Sequence, residues 1–191
     1  MDNIALHLDE PTLNSLKGLI GTTWDSVGTS NMMIADLDGS DLVTCPALIA
    51  CDSSALAFSI QDNEVFVGGD CMTLTILGAV AVGNSLAEAR ENGTLLFDGR
   101  GERVTAIHVI REDLTQVIEG SPRFHLSSDS GVILSLETMF IALQRRGLDG
   151  FDFTVRRATS FEDLEFHPTE TDWPANSKVS FKSSRILIPI S

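Results

Sequence analysis

Hydrophobic and polar residues alternate in short runs along most of the chain. The runs are rich in Val, Ile, Leu, Thr and Phe, and clusters of Gly, Asp, Asn and Ser separate them. This pattern is typical of antiparallel strands joined by tight turns. It predicts strands at Thr22–Val27, Met32–Leu37, Leu42–Ala50, Ala55–Ile60, Glu64–Val67, Met72–Val82, Thr94–Phe97, Val104–Ile110, Thr115–Ile118, Arg123–Leu126, Val132–Leu136, Met139–Gln144, Phe151–Arg157, Lys178–Phe181 and Ile186–Ile190.

Residues that tolerate positive φ lie between the predicted strands. They place turns at residues 38–39, 62–63 and 119–120, and a Ser-rich loop at Ser127–Gly131. Pro189 lies in the last predicted strand and has no backbone N–H for a ladder. We therefore expect that strand at the edge of a sheet.

Two helices interrupt the strand pattern. Pro11 suits a first helical turn, and the apolar spacing that follows predicts a helix from Glu10 to Ile20. A second helix is predicted from Ser85 to Glu91, because Ser85 and Glu88 have the spacing of a capping box.

These elements predict a mainly β, α+β protein built as an antiparallel β-sandwich or a partly open barrel. The length of 191 residues fits a single compact unit spanning residues 1–191. The segment Asp52–Ile60 resembles Asp129–Leu136, since each joins an acidic, Ser-rich turn to a hydrophobic run. The similarity admits two readings: a duplication with halves 1–92 and 93–191, or chance among turn-then-strand sequences.

The charge of the chain is concentrated in its first half. Residues 1–89 contain twelve acids and one base, a net charge of −11, whereas residues 90–191 contain fifteen acids and twelve bases, a net charge of −3. A negative field of this kind repels phosphate backbones and anionic lipids. We therefore expect no nucleic-acid partner and no membrane partner. The acids have two interpretations: they keep a strand-rich protein soluble and its edges apart, or they attract a basic protein, which is the partner we expect.

The cellular compartment is predicted from the lack of a secretory leader, of a membrane span and of a full set of cysteine pairs. The opening residues have no basic, apolar leader, and the run Cys71–Asn84 is too short to span a bilayer as a helix. The cysteines Cys45, Cys51 and Cys71 cannot all pair within one chain. Together these features predict a cytoplasmic protein with reduced, buried thiols.

No catalytic or metal motif is evident. The acids of Asp36–Asp41 fail the spacing of a calcium loop, and no phosphate-binding glycine loop, nucleophile elbow or metal-binding histidine pair occurs. His167, Glu170 and Asp172 have no recognised ligand spacing. We predict no cofactor and no metal, and we favour a protein without enzymatic activity.

The candidate binding residues are acids in predicted turns and strands of the first half, together with one exposed aromatic residue. They are Asp36, Asp38, Asp41, Asp62, Glu64, Asp70 and Trp173.

In size, acidity and lack of catalytic motifs, the chain resembles small binding proteins, including the immunity proteins that bacteria keep against secreted toxins. This resemblance is one of profile and involves no specific residues. It implies an acidic cytoplasmic protein-binding module that occludes a basic surface of a toxin or nuclease. The alternative is a strand-walled site near His108 and His125 that binds a small molecule or performs an unrecognised hydrolysis.

Overall fold

The computed structural model describes residues 1–29, 33–35, 41–44, 47–52, 54–82, 94–98, 101–145, 152–164 and 178–191. Strands dominate this part of the chain, as the alternation predicts. In chain order the elements are β1 (Asp2–Leu6), α1 (Glu10–Lys17), β2 (Trp24–Thr29), β3 (Met33–Ala35), β4 (Asp41–Thr44), β5 (Ala47–Cys51), β6 (Ser54–Val67), β7 (Asp70–Val82), β8 (Thr94–Asp98), β9 (Ala106–Ile118), β10 (Ser121–Ser135), β11 (Phe140–Arg145), β12 (Asp152–Ala158), a 3₁₀ turn (Glu162–Leu164) and β13 (Val179–Ile190).

The strands form two sheets. The eight-stranded sheet has the order β13-β9-β10-β11-β12-β4-β3, with β1 beside β10, and the five-stranded sheet has the order β7-β6-β5-β2-β8. All named strand pairs are antiparallel except β1 with β10, which is parallel. The predicted antiparallel fold is therefore confirmed.

Apolar side chains from both sheets share one core. Trp24, Ile49 and Phe58 of the five-stranded sheet cluster with Ile107 and Leu134 of the eight-stranded sheet, and all five are at most 1% exposed. Since each sheet buries one face against the other, the fold is a β-sandwich.

Helix α1 lies against two edge strands, β7 and β13. Asp9 caps it by accepting a hydrogen bond from the backbone N–H of Thr12 at 2.9 Å, and the Thr12 hydroxyl donates to the carbonyl of Ala79 in β7. The helix ends at Lys17, three residues before the predicted end. Beyond it, the N–H groups of Leu19 and Ile20 bond three residues back, which tightens the chain into 3₁₀-type turns.

Several predicted strands prove to be halves of longer strands. The prediction of a turn at residues 62–63 is wrong, because β6 continues through them in unbroken register with β7. The loop predicted at Ser127–Gly131 is also wrong, because β10 passes through it with a β-bulge between Asp129 and Gly131. In both places, pairing with a long neighbour outweighs the local preference for a turn.

One predicted strand is divided between the two sheets. The stretch Leu42–Ala50 contributes β4 to the larger sheet and β5 to the smaller one. The sequence has Pro46 between them, a residue that cannot donate to a ladder. The prediction for Pro189 is confirmed, since β13 is an edge strand.

Both halves of the chain contribute to both sheets. Strands β1, β3 and β4 join the larger sheet, and β8 joins the smaller one. Asp52 has a positive φ of 45° before β6, whereas Asp129 lies within β10. The two similar segments thus have different local structures, and the duplication stays a prediction. The predicted helix Ser85–Glu91 lies outside the described residues.

Candidate interaction surface

The hairpin of β6 and β7 extends beyond the rest of its sheet. β5 pairs with β6 only from Ser54 to Phe58, whereas β7 pairs with β6 from Ala55 to Val67. Past Phe58, β7 is the only strand paired with β6 among the described residues. We call this two-stranded part, residues 59–67 and 70–78, the ribbon.

One face of the ribbon carries five exposed residues. Directly opposite residues of an antiparallel pair share a face, as do residues two apart on one strand. The register places Glu64 opposite Thr73, and Phe66 opposite Cys71, with Asp62 next along β6. All five are exposed, and Phe66 is 72% exposed. We call these residues the acidic-aromatic patch: Asp62, Glu64, Phe66, Cys71 and Thr73.

The two acids of the patch form no ion pair with the part of the chain that the structure describes. Within the described part of the chain, neither Asp62 nor Glu64 makes an ion pair or a side-chain hydrogen bond. Their carboxylates lie two residues apart on one face, about 7 Å by strand geometry. The patch therefore combines unbalanced negative charge with an exposed aromatic ring.

The opposite face of the ribbon is anchored to the larger sheet. Val67 and Leu74 are buried in a second apolar cluster with Leu114, Phe124 and Leu126. This packing holds the ribbon in place although it has only two strands, which alone would be marginally stable. The patch is consequently a preformed surface.

The ribbon ends in a tight turn fixed by two acids. Gly68 and Gly69 have φ values of 58° and 91°, which glycine adopts at little cost. The Asp2 carboxylate accepts a hydrogen bond from the Gly68 N–H at 2.7 Å. Asp70 pairs with Arg123 at 2.6 Å, so its charge is matched within the protein.

The structure brings two of the seven predicted binding residues together. Asp62 and Glu64 lie in the patch, and Asp70 lies on the same ribbon but pairs with Arg123. Asp41 is the first residue of β4 in the other sheet. Asp36, Asp38 and Trp173 lie outside the described residues.

Sequence reasoning missed Phe66 and Cys71 as surface residues. The signal was present, because Asp62, Glu64 and Phe66 alternate with Asn63 and Val65, the period of a strand with one solvated face. Assigning a turn at residues 62–63 interrupted that period.

No known protein family, curated protein or solved structure matches this chain. Among the described residues, no helix is long and apolar enough to cross a membrane.

The two histidines of the alternative function do not share a site. His108 packs edge-on against Phe161, with ring centroids 6.2 Å apart. His125 lies opposite Thr115, seven residues further along β9, which corresponds to about 23 Å. The odd spacing also places them on opposite faces of the sheet.

A serine and a histidine do meet elsewhere, on the face that carries His125. The Nε2 atom of His7 lies 3.1 Å from the Ser127 hydroxyl, and His125 contacts Thr115 and Asp113. No carboxylate orients His7 among the described residues. Ser127 is paired with β1 on one side and β9 on the other, so its backbone is committed to strand pairing. A nucleophilic site needs an orienting group and free oxyanion donors as well.

The described residues contain no cluster of three or more metal-ligating side chains. The loop with His167, Glu170 and Asp172, like Cys45, lies outside them. The prediction of buried thiols is confirmed for Cys51 and wrong for Cys71, which is exposed because it lies opposite Phe66 on the exposed face of the ribbon. Burial raises the pKa of the Cys51 thiol to about 11 and keeps it protonated.

Proposed function

We propose that this protein is a protein-binding module whose acidic-aromatic patch engages a basic surface of another protein. The observation that supports this most directly is the exposed ring of Phe66 beside two carboxylates that make no ion pair with the described residues. Aromatic anchors surrounded by complementary charges are typical of protein interfaces.

The aromatic residue and the two acids of the patch contribute to binding in different ways. Complete burial of a phenylalanine side chain contributes about 1.5–3 kcal/mol, which acts mainly on the dissociation rate. The carboxylates of Asp62 and Glu64 attract a cationic partner over a distance and act mainly on the association rate. The net charge of −11 in residues 1–89 extends this attraction.

In its specific form, the proposal makes the chain an immunity-type inhibitor in the cytoplasm. The partner is then a toxin or nuclease whose basic cleft is occluded by the patch. The strong acidity and the open, preformed patch support this form, because a cleft that binds phosphate groups carries Lys and Arg.

A selection from a random peptide library displayed on phage tests the proposal with no assumption about the identity of the partner. The wild-type chain serves as the target, and the triple variant Asp62→Asn, Glu64→Gln, Phe66→Ser is used for counter-selection. We expect the enriched peptides to be basic and to contain apolar residues. Enrichment of peptides without net positive charge, or with equal affinity for the variant, contradicts the proposal.

Separate variants then distinguish the contribution of Phe66 to binding from that of the two carboxylates. With an enriched peptide, we expect Phe66→Ala to weaken binding about tenfold or more at any salt concentration. We expect the double variant Asp62→Asn, Glu64→Gln to slow association at low salt and to lose most of its effect at physiological salt, where the Debye length is about 8 Å. The matched control is Glu10→Gln with Glu162→Gln, two exposed acids outside the patch, which should change little.

A further inference from the structure

No strand among the described residues covers the backbone edge of the ribbon at three residues of the patch, Asp62, Glu64 and Phe66. The two-residue loop makes Val67 and Asp70 a hydrogen-bonded pair. Hydrogen-bonded and non-bonded pairs alternate along an antiparallel ladder. Asn63 and Val65 therefore bond to β7, while Asp62, Glu64 and Phe66 turn their N–H and C=O groups to the other side of β6.

That other side is the one on which β5 pairs with the first part of β6. The β5 strand bonds to β6 only as far as Phe58. Further along, the described residues make no backbone hydrogen bond to Asp62, Glu64 or Phe66 from that side. Among the described residues, an edge of about 13 Å, from Asp62 to Phe66, is thus left without a paired strand.

We propose that the partner binds by adding an extended basic segment to this edge as an antiparallel strand, in line with β5. This inference rests on the proposed function and names its binding mode. Main-chain hydrogen bonds to Asp62, Glu64 and Phe66 provide affinity, and side chains on alternate positions provide specificity, as in other cases of strand addition.

The register of the edge defines the sequence that fits. A residue directly opposite another on an antiparallel pair shares its face. Lysine or arginine opposite Asp62 and Glu64, and an apolar residue opposite Phe66, complement the patch. Because the strand runs antiparallel to β6, its order from the N-terminus is apolar, any residue, basic, any residue, basic.

The charges on the patch disfavour a second copy of this chain as the occupant. Two β6 edges paired antiparallel about Glu64 bring the two Glu64 carboxylates opposite each other, with Asp62 of each copy nearby. Like charges directly opposite destabilise a strand pair. The same carboxylates attract a basic strand, so the chemistry of the edge selects a partner of opposite charge.

The probe for this mode is the capped peptide Thr-Leu-Thr-Lys-Thr-Lys-Thr, titrated into the isotope-labelled protein and followed by NMR. Two N-methylated forms accompany it. In the first form, both lysine amides, which face β6, are methylated. In the second form, the amides of the third and fifth residues of the peptide, both threonine, are methylated. These two amides point away from β6.

The three peptides separate strand addition from binding by side chains alone. We expect the first methylated form to bind at least about tenfold more weakly than the unmodified peptide, and the second to bind about equally, because only the first loses hydrogen bonds to β6. Hydrogen exchange at the amides of Asp62, Glu64 and Phe66 should slow on binding. Exchange at Asn63 and Val65, which are bonded to β7, should stay the same.

Failure of this inference differs from failure of the proposed function. If both methylated forms bind like the unmodified peptide, or if basic library peptides bind the patch while this peptide does not, strand addition is overturned and the proposed function stands. If neither this peptide nor any basic library peptide binds the patch, both are overturned.

Discussion

Individual carboxylates of the first half of the chain have distinct local roles. Asp2 accepts from the Gly68 N–H, Asp9 from the Thr12 N–H, and Asp52 from the Thr23 N–H. Each satisfies a backbone donor that would otherwise lack a protein acceptor. Part of the acidity that the sequence displays is therefore structural, which sets Asp62 and Glu64 apart from these three acids.

Asp129 is the most deeply buried acid among the described residues. Its carboxylate is 1% exposed and accepts hydrogen bonds from the Arg111 guanidinium at 2.7 and 3.1 Å and from the Leu8 N–H at 2.8 Å. It thereby fixes the end of β1 next to β10. We expect Asp129→Asn to lower the free energy of unfolding by about 3 kcal/mol, because it leaves a partly buried guanidinium without its counter-charge.

Urea denaturation measures this loss, and Asp70→Asn is the matched control. The pair of Asp70 and Arg123 has a similar length, 2.6 Å, but its carboxylate side chain is 73% exposed. Exposed pairs contribute about 0–1 kcal/mol. Equal losses in the two variants would show that burial does not set the strength of these pairs.

Asp9 gives the stability of the chain a defined acid dependence. The nearby Thr12 side chain and the hydrogen bond from the Thr12 N–H hold the pKa of Asp9 below its ordinary value of 3.8. A carboxyl with a lowered pKa stabilises the folded state fully above the ordinary value, and this stabilisation is lost as the pH falls through the lowered one. We expect Asp9→Ala to destabilise α1 at neutral pH.

Asp9→Asn separates capping from titration, because asparagine also caps helices but does not ionise. The difference in unfolding free energy between the wild type and the asparagine variant should shrink as the pH falls to about 3. Denaturation at several pH values measures it, and a difference that stays constant would exclude Asp9 as the titrating group.

At the scale of elements, β10 depends on a glycine beside its bulge. A Cβ atom added at Gly131 would lie 2.3 Å from the carbonyl oxygen of Leu143 and 2.8 Å from the Cα of Gln144, both backbone atoms of β11. Backbone in the middle of a sheet cannot move away at low cost. We expect Gly131→Ala to lower the free energy of unfolding by about 3 kcal/mol or more.

Gly78→Ala provides the comparison on another strand. A Cβ atom there would meet its nearest neighbour, the Ser59 hydroxyl, at 3.7 Å, an ordinary contact. Removing a glycine also reduces the entropy of the unfolded chain, so this variant should be close to neutral or slightly stabilising. Thermal unfolding of both variants tests the pair, and similar losses would contradict the role given to the close approach of β11.

The sequence pattern predicts where the strands lie but not how long they are. The alternation of apolar residues predicts where β9, β10 and β13 lie, because burial of one face imposes that period. It divides each of them at polar stretches such as Ser127–Gly131, since turn residues look the same inside a long strand as in a loop. Only the neighbouring strand, which comes from a distant part of the chain, decides between the two.

For the candidate surface, composition predicts the charge but not its arrangement. Asp62 and Glu64 are predicted as binding residues because they are acids in the first half of the chain. That Asp70 is neutralised by Arg123, 53 residues away in sequence, follows only from the fold. The same holds for Phe66, which is exposed because the other face of the ribbon is the one that packs on the larger sheet.

At the scale of the whole molecule, the sandwich protects its edges in different ways. Helix α1 lies along β7 and bonds to Ala79, and Pro189 interrupts the donors of β13. Among the described residues, neither a helix nor a proline protects the edge of β6 from Asp62 to Phe66. The carboxylates on this edge and the net charge of −14 oppose the pairing of two copies there.

This dependence on charge predicts that neutral variants of the ribbon associate. We expect Asp62→Asn with Glu64→Gln to self-associate at concentrations where the wild type does not, because the free backbone edge and Phe66 remain while the opposing carboxylates are gone. Sedimentation velocity over a concentration series measures it. Glu10→Gln with Glu162→Gln removes the same number of negative charges elsewhere and should behave like the wild type. If both pairs associate equally, the net charge and not the edge keeps the copies apart.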